Sequence, residues 1–222
     1  MQHVFTLDTL EQAVRGSKPA KLAVLGYPVS HSSSPQLHQS ALDALGIEIS
    51  YIRLEVEPGK LPLAFDKMRE FGFIGCNVTA PHKFEALETC SRISDQARLL
   101  GAANTVVFAG NDSLGYNTDG PGFMRAIDEA FDLKLGDTHS LILGAGGGAG
   151  QAIATQCALQ KPAKLTLVNR SLDKIIALAS RLLIISSYTK IFTLTFDDPN
   201  LIEYCHAADL LVQTTSLGLQ KN

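Results

Sequence analysis

The chain has 222 residues, of which 45% are hydrophobic and 18% charged, and its formal net charge is −3. This balance is typical of a folded globular protein and excludes a disordered chain. The slight excess of acidic residues offers no basic surface to nucleic acid or anionic lipid. The N-terminal segment lacks the apolar core of a signal peptide, and no apolar run reaches the roughly 18 residues of a membrane span. We therefore expect a cytoplasmic protein without nucleic-acid or membrane partners.

The four cysteines, Cys76, Cys90, Cys157 and Cys205, are far apart and form no Cys-x-x-Cys pair. Such spacing fits neither a disulfide framework nor a zinc site, and it suits a reducing compartment. We expect the cysteines to be small buried hydrophobic residues. The histidines and cysteines do not cluster at ligand spacing, so no metal site is predicted.

The first half of the chain alternates short apolar runs with helical patterns. Strands are predicted over residues 22–25, 49–56 and 74–79, and helices over residues 34–45, 61–71 and 81–89. Ser34 is the predicted N-cap of its helix, with Pro35 at the first helical position and Gly46 as the stop. Two further strands, 105–108 and 114–116, flank the turn signal Gly110-Asn111-Asp112 and predict a hairpin.

After an amphipathic helix over residues 123–131, the second half is more regular. Strands are predicted over residues 140–143, 164–168, 191–196 and 209–214, with helices over 151–160 and 172–183. Strand–helix alternation with short links predicts parallel sheets covered by helices. The least periodic stretch lies near residues 118–122, which places the domain boundary there. The expected fold is two α/β domains, residues 1–119 and 120–222, with a cleft between them.

A glycine cluster follows the first strand of the second half and opens a helix. Glycines in that context let the backbone turn sharply and approach a pyrophosphate, which the helix N-terminus then attracts. A plain turn is the alternative, although so many glycines increase the conformational entropy lost on folding, a cost that a plain turn does not need. The predicted cofactor-binding residues are Gly144, Ala145, Gly146, Gly147 and Gly148.

The end of the next strand predicts which dinucleotide binds. An NAD-binding fold places an acidic residue there for the ribose hydroxyls, but this chain has Asn169, Arg170 and Ser171, followed by Lys174. A guanidinium can grip a phosphate with two parallel hydrogen bonds. The pattern favours NADP(H), with an ordinary solvated arginine as the alternative, and the nearby Asp173 leaves some room for NAD.

Polar residues collect in four loops of the first half, several of them directly after predicted strands. The loops are residues 26–35, which include four serines, and residues 77–83, 101–105 and 117–120. In open α/β sheets ligands bind at the carboxyl ends of strands. Hydroxyls, amides, one lysine and one aspartate are suitable groups for gripping a polyhydroxylated acid.

The order of these motifs closely resembles the shikimate dehydrogenase family. The patterns are G-x-P-x-x-H-S-x-S-P, N-V-T-x-P-x-K, G-A-x-N-T, N-T-D-G, G-A-G-G and N-R-S, and the match runs from about Lys21 to Gly218. The resemblance implies a substrate-binding α/β domain followed by a Rossmann-like, doubly wound domain that binds NADP(H). It also implies an oxidoreductase of aromatic amino-acid biosynthesis, which reversibly reduces 3-dehydroshikimate to shikimate with NADPH.

The resemblance also implies roles for single residues. Ser32 and Ser34 would bind the substrate carboxylate, and the ring hydroxyls would be held by Thr79, Lys83, Asn104 and Asp119. Lys83 would be the catalytic acid/base, with Asp119 as its partner, and Asp95 would lie near the lysine and the cofactor. Reduction of a ketone leaves an alkoxide that needs a proton donor, which agrees with the lysine. The alternatives are a solvated helix charge for Lys83 and an N-cap for Asp119, and no catalytic role is expected for His31 or His82.

Several alternatives to this interpretation stay open. Family members normally continue for several dozen residues beyond Gly218, so we expect the C-terminal part to be missing from this sequence. A paralogue acting on quinate or an amino-substituted analogue is one rival. A non-catalytic regulator that binds NADP or a metabolite is another, and one module of a multifunctional enzyme is a third. The sequence is compatible with a monomer or a homodimer, and it assigns no function to the residues before Lys21.

Overall fold

The computed structural model describes residues 3–217, and the chain divides between Asn117 and Thr118 into two compact units. The strands of the first unit are β1 (Val4–Phe5), β2 (Ala20–Gly26), β3 (Ser50–Glu55), β4 (Gly75–Val78), β5 (Arg92–Ile93), β6 (Thr105–Ala109) and β7 (Asp112–Tyr116). Its helices are α1 (Leu10–Ala13), α2 (Ser34–Ala44), α3 (Leu61–Glu70), α4 (Lys83–Thr89) and α5 (Asp95–Leu100).

The first unit is built on a seven-stranded sheet in the order β1-β3-β2-β4-β6-β7-β5. β1, β3, β2 and β4 pair in parallel, whereas β6 is antiparallel to both β4 and β7. The predicted hairpin is therefore confirmed, and it makes this sheet mixed rather than parallel throughout. Because Thr105 at the start of β6 pairs with Asn77 near the end of β4, the start of β6 lies at the same edge as the carboxyl ends of β2 and β4.

The N-terminal segment, which the sequence left without a function, completes the first unit. β1 pairs with β3 at the edge of the sheet, and Leu10 of α1 is fully buried in the core. Phe65 and Met68 of α3 belong to the same cluster. Short elements such as β1 and α1 were not predicted, because two to four residues are too few to show a period of their own.

Two predicted helix starts in the first unit are wrong by one or two residues. The N-cap of α2 is Ser33 rather than Ser34, which is the first helical residue and donates its backbone N–H to Ser32 Oγ at 3.3 Å. Pro81 does not open α4, which begins at Lys83. The backbone first closes a turn in which His82 N–H donates to Thr79 O at 3.0 Å, and only then becomes helical.

The second unit contains a four-stranded sheet that is parallel throughout, as predicted. Its strands are β8 (His139–Leu143), β9 (Lys164–Val168), β10 (Lys190–Leu194) and β11 (Leu210–Gln213). Its helices are α6 (Asp119–Phe131), α7 (Gly148–Leu159), α8 (Leu172–Ile185) and α9 (Leu201–His206). The strand order is β10-β9-β8-β11, so the chain winds outwards from β8 and then returns to its other side. Ligands of open α/β sheets bind at such a switch point.

Most of the cysteine side chains lie in the interior, as expected for small hydrophobic residues. Cys76, Cys90 and Cys157 are buried free thiols and Cys205 is half-buried. Burial raises the pKa of the Cys90 thiol to about 11 and that of Cys157 to about 12, so both stay protonated.

Among residues 3–217 no helix has both the length and the apolar character to cross a membrane, and no group of three metal-ligating side chains is found there.

Candidate functional site

The carboxyl ends of β2 and β4 are held together by backbone hydrogen bonds. Thr79 N–H donates to Leu25 O at 2.8 Å, and Tyr27 N–H donates to Ala80 O at 3.1 Å. A Cβ atom at Gly26 would lie 2.7 Å from Cγ2 of Thr79, closer than side-chain carbons approach one another. Glycine at this position therefore lets the following segment, residues 27–34, start directly beside Thr79.

The serine loop, defined as residues 27–34, is anchored by a buried arginine on β3. Arg53 is only 5% exposed. Its Nε donates to Ser32 O at 2.9 Å, Nη2 donates to the same carbonyl, and Nη2 also donates to Gln36 Oε1 at 3.0 Å. This clamp holds the half-buried Ser32 and Ser34 in place at the start of α2. No local pattern in the sequence marks Arg53, because only the parallel register of β2 and β3 places it under the loop.

Lys83 and Asn104 are joined to the same edge of the first sheet. Ala103 N–H donates to Lys83 O at 3.0 Å, and Val78 N–H donates to Asn104 O at 2.8 Å. Lys83 is half-buried and Asn104 is 9% exposed. The structure thus brings the predicted substrate ligands of the first unit to one edge of one sheet; they are Ser32, Ser34, Thr79, Lys83 and Asn104.

The start of α4, where Lys83 lies, is fixed by the buried side chain of His82. Its Nε2 is 2.7 Å from Val56 O and its Nδ1 is 3.1 Å from Glu85 Oε2. Since a carbonyl oxygen can only accept, Nε2 carries a proton and donates it. Glu85 Oε1 in turn accepts the backbone N–H of Leu61 at 3.2 Å. His82 therefore joins α4 to the loop before α3, which gives this histidine a structural role.

The two predicted aspartates both open helices. Asp119 is the first residue of α6 and is half-buried, with Thr118 as the N-cap. Asp95 is the exposed first residue of α5, whose N-cap Ser94 accepts the N–H of Ala97 at 3.1 Å. An acidic side chain in the first turn stabilises the helix dipole. The catalytic role of Asp119 and the cofactor role of Asp95 stay predictions.

The glycine loop of the second unit has the close packing that a dinucleotide site needs. Gly144 adopts a left-handed φ of 85°, and the N–H groups of Gly144 and Ala145 both donate to Val168 O, at 2.8 and 3.1 Å. A Cβ at Gly150 would lie 2.3 Å from Gly144 O, so α7 packs directly on the loop. The first N–H groups of α7 have no intrahelical acceptors and lie where a phosphate is attracted.

The predicted 2′-phosphate site lies against this loop. A Cβ at Gly146 would come within 2.6 Å of Asn169 Nδ2, and Asn169 Nδ2 donates to Ser171 O at 3.1 Å. Arg170, Ser171 and Lys174 are exposed at the carboxyl end of β9, so their polar groups can meet a ligand. Gly147 and Gly148 lie at the helix start, and their role with the pyrophosphate, like that of Arg170 with the 2′-phosphate of NADP(H), stays a prediction.

The other side of the glycine loop is closed by the segment after β11. Thr214 Oγ1 donates to Leu143 O at 2.7 Å, and a Cβ at Gly144 would lie 2.7 Å from Cγ2 of Thr215. The match to the family described from the sequence extends over this segment to about Gly218. Its final residue, Gly218, lies outside the described residues.

Comparison with known proteins agrees with this geometry. The family model for the shikimate dehydrogenase substrate binding domain matches residues 24–106, which contain the serine loop, Lys83 and Asn104. The shikimate dehydrogenase (NADP(+)) of Geobacter metallireducens is 37% identical over 202 residues, which cover 91% of this chain and 70% of that protein.

Solved structures give the same result. Shikimate 5-dehydrogenase from Thermus thermophilus, in complex with NADP(H) and shikimate, superposes with a TM-score of 0.76 at 35% identity, over 90% of this chain and 70% of that one. The 5-ketofructose reductase of a Gluconobacter strain superposes with a TM-score of 0.74 at 26% identity, over 91% and 71% of the two chains. The motifs, the two sheets and these relatives together show that the chain belongs to the shikimate dehydrogenase family.

Proposed function

We propose that this chain catalyses the reversible, NADPH-dependent reduction of 3-dehydroshikimate to shikimate. The observation that carries the proposal is the gathering of hydroxyl, amide and amine groups at one edge of the first sheet, by backbone bonds such as Ala103 N–H to Lys83 O at 3.0 Å. The relatives that bear the name shikimate dehydrogenase (NADP(+)) support the same reaction.

The serine loop is the proposed binding place for the substrate carboxylate. Ser32 and Ser34 offer hydroxyl donors that suit an anionic acceptor. Arg53, which bonds the Ser32 carbonyl at 2.9 Å, holds the loop in one conformation before substrate arrives. Such preorganisation reduces the entropy lost on binding. Thr79 and Asn104 then contribute polar groups for the ring hydroxyls.

Lys83 is the proposed proton donor. NADPH, when bound, supplies the hydride that the carbonyl carbon receives. The carbonyl oxygen takes its proton from the Lys83 ammonium, so that one ketone, one hydride and one proton give one alcohol, and the lysine regains its proton from solvent. A positioned acid/base of this kind contributes roughly 10²–10⁴-fold to the rate. Asp119 stays assigned as the partner of Lys83 on the resemblance alone.

In the second unit, the proposal assigns the pyrophosphate to the start of α7 and the 2′-phosphate to Arg170. The main support is the contact that leaves no space for a Cβ between Gly146 and Asn169, because it places the Asn169–Ser171 segment beside the glycine loop. Lys174, one helical turn further along α8, adds a second positive charge to the same place. Asp95 stays assigned to the cofactor on the resemblance alone.

We also propose that the protein works in the cytoplasm as a monomer or homodimer with small-molecule partners only. Its buried, protonated thiols are compatible with a reducing compartment. Cell fractionation and light scattering of the purified chain test this part. A membrane-bound fraction, or a larger assembly, would contradict it.

The test of the reaction is the appearance of reduced nicotinamide, followed by absorbance, with purified protein and each pairing of shikimate or quinate with NADP or NAD. Turnover of shikimate with NADP, at a kcat/KM well above every other pairing, is expected. Preference for quinate would move the assignment to a paralogue. Tight NADP binding without turnover of either acid would favour a non-catalytic regulator.

A further inference from the structure

A line of hydrogen-bonded polar side chains lies on the face of the first sheet that packs against α2. The hydroxyl of Tyr51 on β3 is 2.7 Å from Asn77 Oδ1 on β4, and Asn77 Nδ2 is 3.2 Å from Thr105 Oγ1 on β6. Thr105 Oγ1 is 3.1 Å from Asn104 Oδ1. The line therefore connects Asn104, a proposed substrate ligand, to three residues that have no assigned role.

The direction of each hydrogen bond in this line can be assigned. Asn77 Nδ2 also lies 3.5 Å from the backbone carbonyl of Asn104, and an amide oxygen in that place would face another acceptor. The amide nitrogen of Asn77 therefore points towards Thr105, and its Oδ1 accepts from Tyr51. Thr105, which accepts from Asn77, has one proton left and donates it to Asn104 Oδ1.

The first donor in this line keeps its proton. Tyr51 is 6% exposed, and burial, followed by the nearby Cys76, raises the pKa of its hydroxyl far above the usual range. The phenol therefore stays a neutral donor towards Asn77 under physiological conditions. With Oδ1 of Asn104 accepting from Thr105, the other polar group of that side chain, the amide NH₂, can only donate.

We propose that Tyr51, Asn77 and Thr105 are positioning residues that orient Asn104 as a hydrogen-bond donor, and thereby make the site select a substrate oxygen that accepts. This inference rests on the proposed function, since it specifies how the same substrate is recognised. A hydroxyl or keto oxygen has lone pairs for the Asn104 amide, whereas an ammonium group has none. The site therefore discriminates against ring-amino analogues of the substrate.

A double-mutant cycle tests whether Tyr51 acts through Asn104. Tyr51→Phe deletes one hydroxyl and is expected to raise the KM for shikimate about 3–10-fold, the value of one neutral hydrogen bond, with the KM for NADP unchanged. In an Asn104→Ala background the same change should have no further effect. Tyr188→Phe, which alters a tyrosine that is 85% exposed, is the matched control. Additive effects of Tyr51→Phe and Asn104→Ala would overturn the proposal.

The side-chain amide resonances of Asn77 and Asn104 give a readout that does not depend on turnover. Thr105→Val removes the hydroxyl and should shift the Asn104 amide signals, whereas Thr105→Ser should leave them close to those of the unaltered chain. Unchanged Asn104 signals in Thr105→Val would refute the line itself. If the unaltered chain does not turn over shikimate, the proposed function fails, while this measurement still decides whether Asn104 is oriented as inferred.

Substrate analogues test the selectivity. Each ring hydroxyl of shikimate, except the one that the reaction oxidises, is replaced in turn by an amino group, and kcat/KM is measured below the pKa of the amine. At least one analogue should be turned over about 10-fold or more worse than shikimate. Asn104→Asp, which changes the donor into an acceptor, should reverse that preference. Equal turnover of all analogues, or no reversal in Asn104→Asp, would contradict the inference.

Discussion

The two units prepare their ligand-binding ends by different means. In the first unit, polar side chains hold the loops: Arg53 on β3 bonds Ser32 O at 2.9 Å, and His82, the N-cap of α4, bonds Val56 O at 2.7 Å. In the second unit, backbone groups and absent side chains dominate. There, Val168 O accepts two successive N–H groups, and a Cβ on Gly150 would come within 2.3 Å of Gly144 O.

This difference corresponds to the chemistry of the two proposed ligands. A phosphate is a symmetric, highly charged group that backbone N–H groups at a helix start can bind without side chains. A carboxylated ring with several hydroxyls has distinct donors and acceptors, and only oriented side chains can tell them apart. Side-chain substitutions at the binding end of the first unit should therefore change kcat or the KM for the substrate. Substitutions that add a side chain to a glycine of the second unit should change cofactor binding or stability.

The largest effect is expected for Lys83→Ala in the first unit. Loss of the proton donor should lower kcat about 10²–10⁴-fold, with a smaller change in KM. The Kd for NADP should hardly change, because Lys83 is not one of the proposed cofactor ligands. Lys60→Ala, at an exposed lysine of the same unit, is the control. A variant that retains full kcat would remove Lys83 from the mechanism.

Arg170→Ala in the second unit should have the opposite profile. One charge-assisted phosphate contact is lost, so the KM for NADP should rise about 10–100-fold, whereas the KM for NAD changes little. The KM for shikimate should stay the same. The measurement is steady-state kinetics with both cofactors, and parallel losses with NADP and NAD would show that Arg170 does not read the phosphate.

Gly150→Ala and Gly147→Ala test how closely α7 packs on the glycine loop. A Cβ at Gly150 would meet backbone, whereas one at Gly147 would lie 3.6 Å from Gly144 O, an ordinary contact. Gly150→Ala should destabilise the protein by about 1–3 kcal/mol and lower Tm by several degrees, with Gly147→Ala near the original Tm. Thermal unfolding measures this difference, and equal Tm values would mean that α7 has space to move away from the loop.

The smallest effect is expected for Ser94→Ala. The hydroxyl caps α5 through the N–H of Ala97 at 3.1 Å, and loss of an N-cap destabilises by about 1 kcal/mol. Ser33→Ala is the control, since Ser33 is the N-cap of α2 without a side-chain cap bond. Denaturant unfolding should detect the difference between these variants. An equally large loss in both would mean that the cap bond of Ser94 contributes nothing of its own.

Local sequence patterns were sufficient where one segment contains the whole signal. Gly110 predicted the β6–β7 hairpin, because the two strands are neighbours in the chain and the turn needs a left-handed residue, here with φ of 60°. The glycine loop and the strand β9, found over 164–168 as predicted, are likewise local features. The carboxyl-end positions of Lys83 and Arg170 followed from strand order alone. Asn104 comes before β6 and lies at the same end of the sheet because β6 is antiparallel to β4.

Other features depended on contacts between residues far apart in the chain. Arg53 bonds the Ser32 carbonyl, 21 residues earlier in the chain, and the hydrogen bond of Tyr51 with Asn77 joins positions 26 residues apart. The N-cap of α2 is one residue earlier than predicted, and Ser34 N–H bonds Ser32 Oγ there. The sequence alone thus determined which groups reach the binding ends, since motif order and strand period are local. The tertiary structure decided which buried polar residues hold those groups, because strand register and hydrogen-bond partners exist only once the sheet has formed.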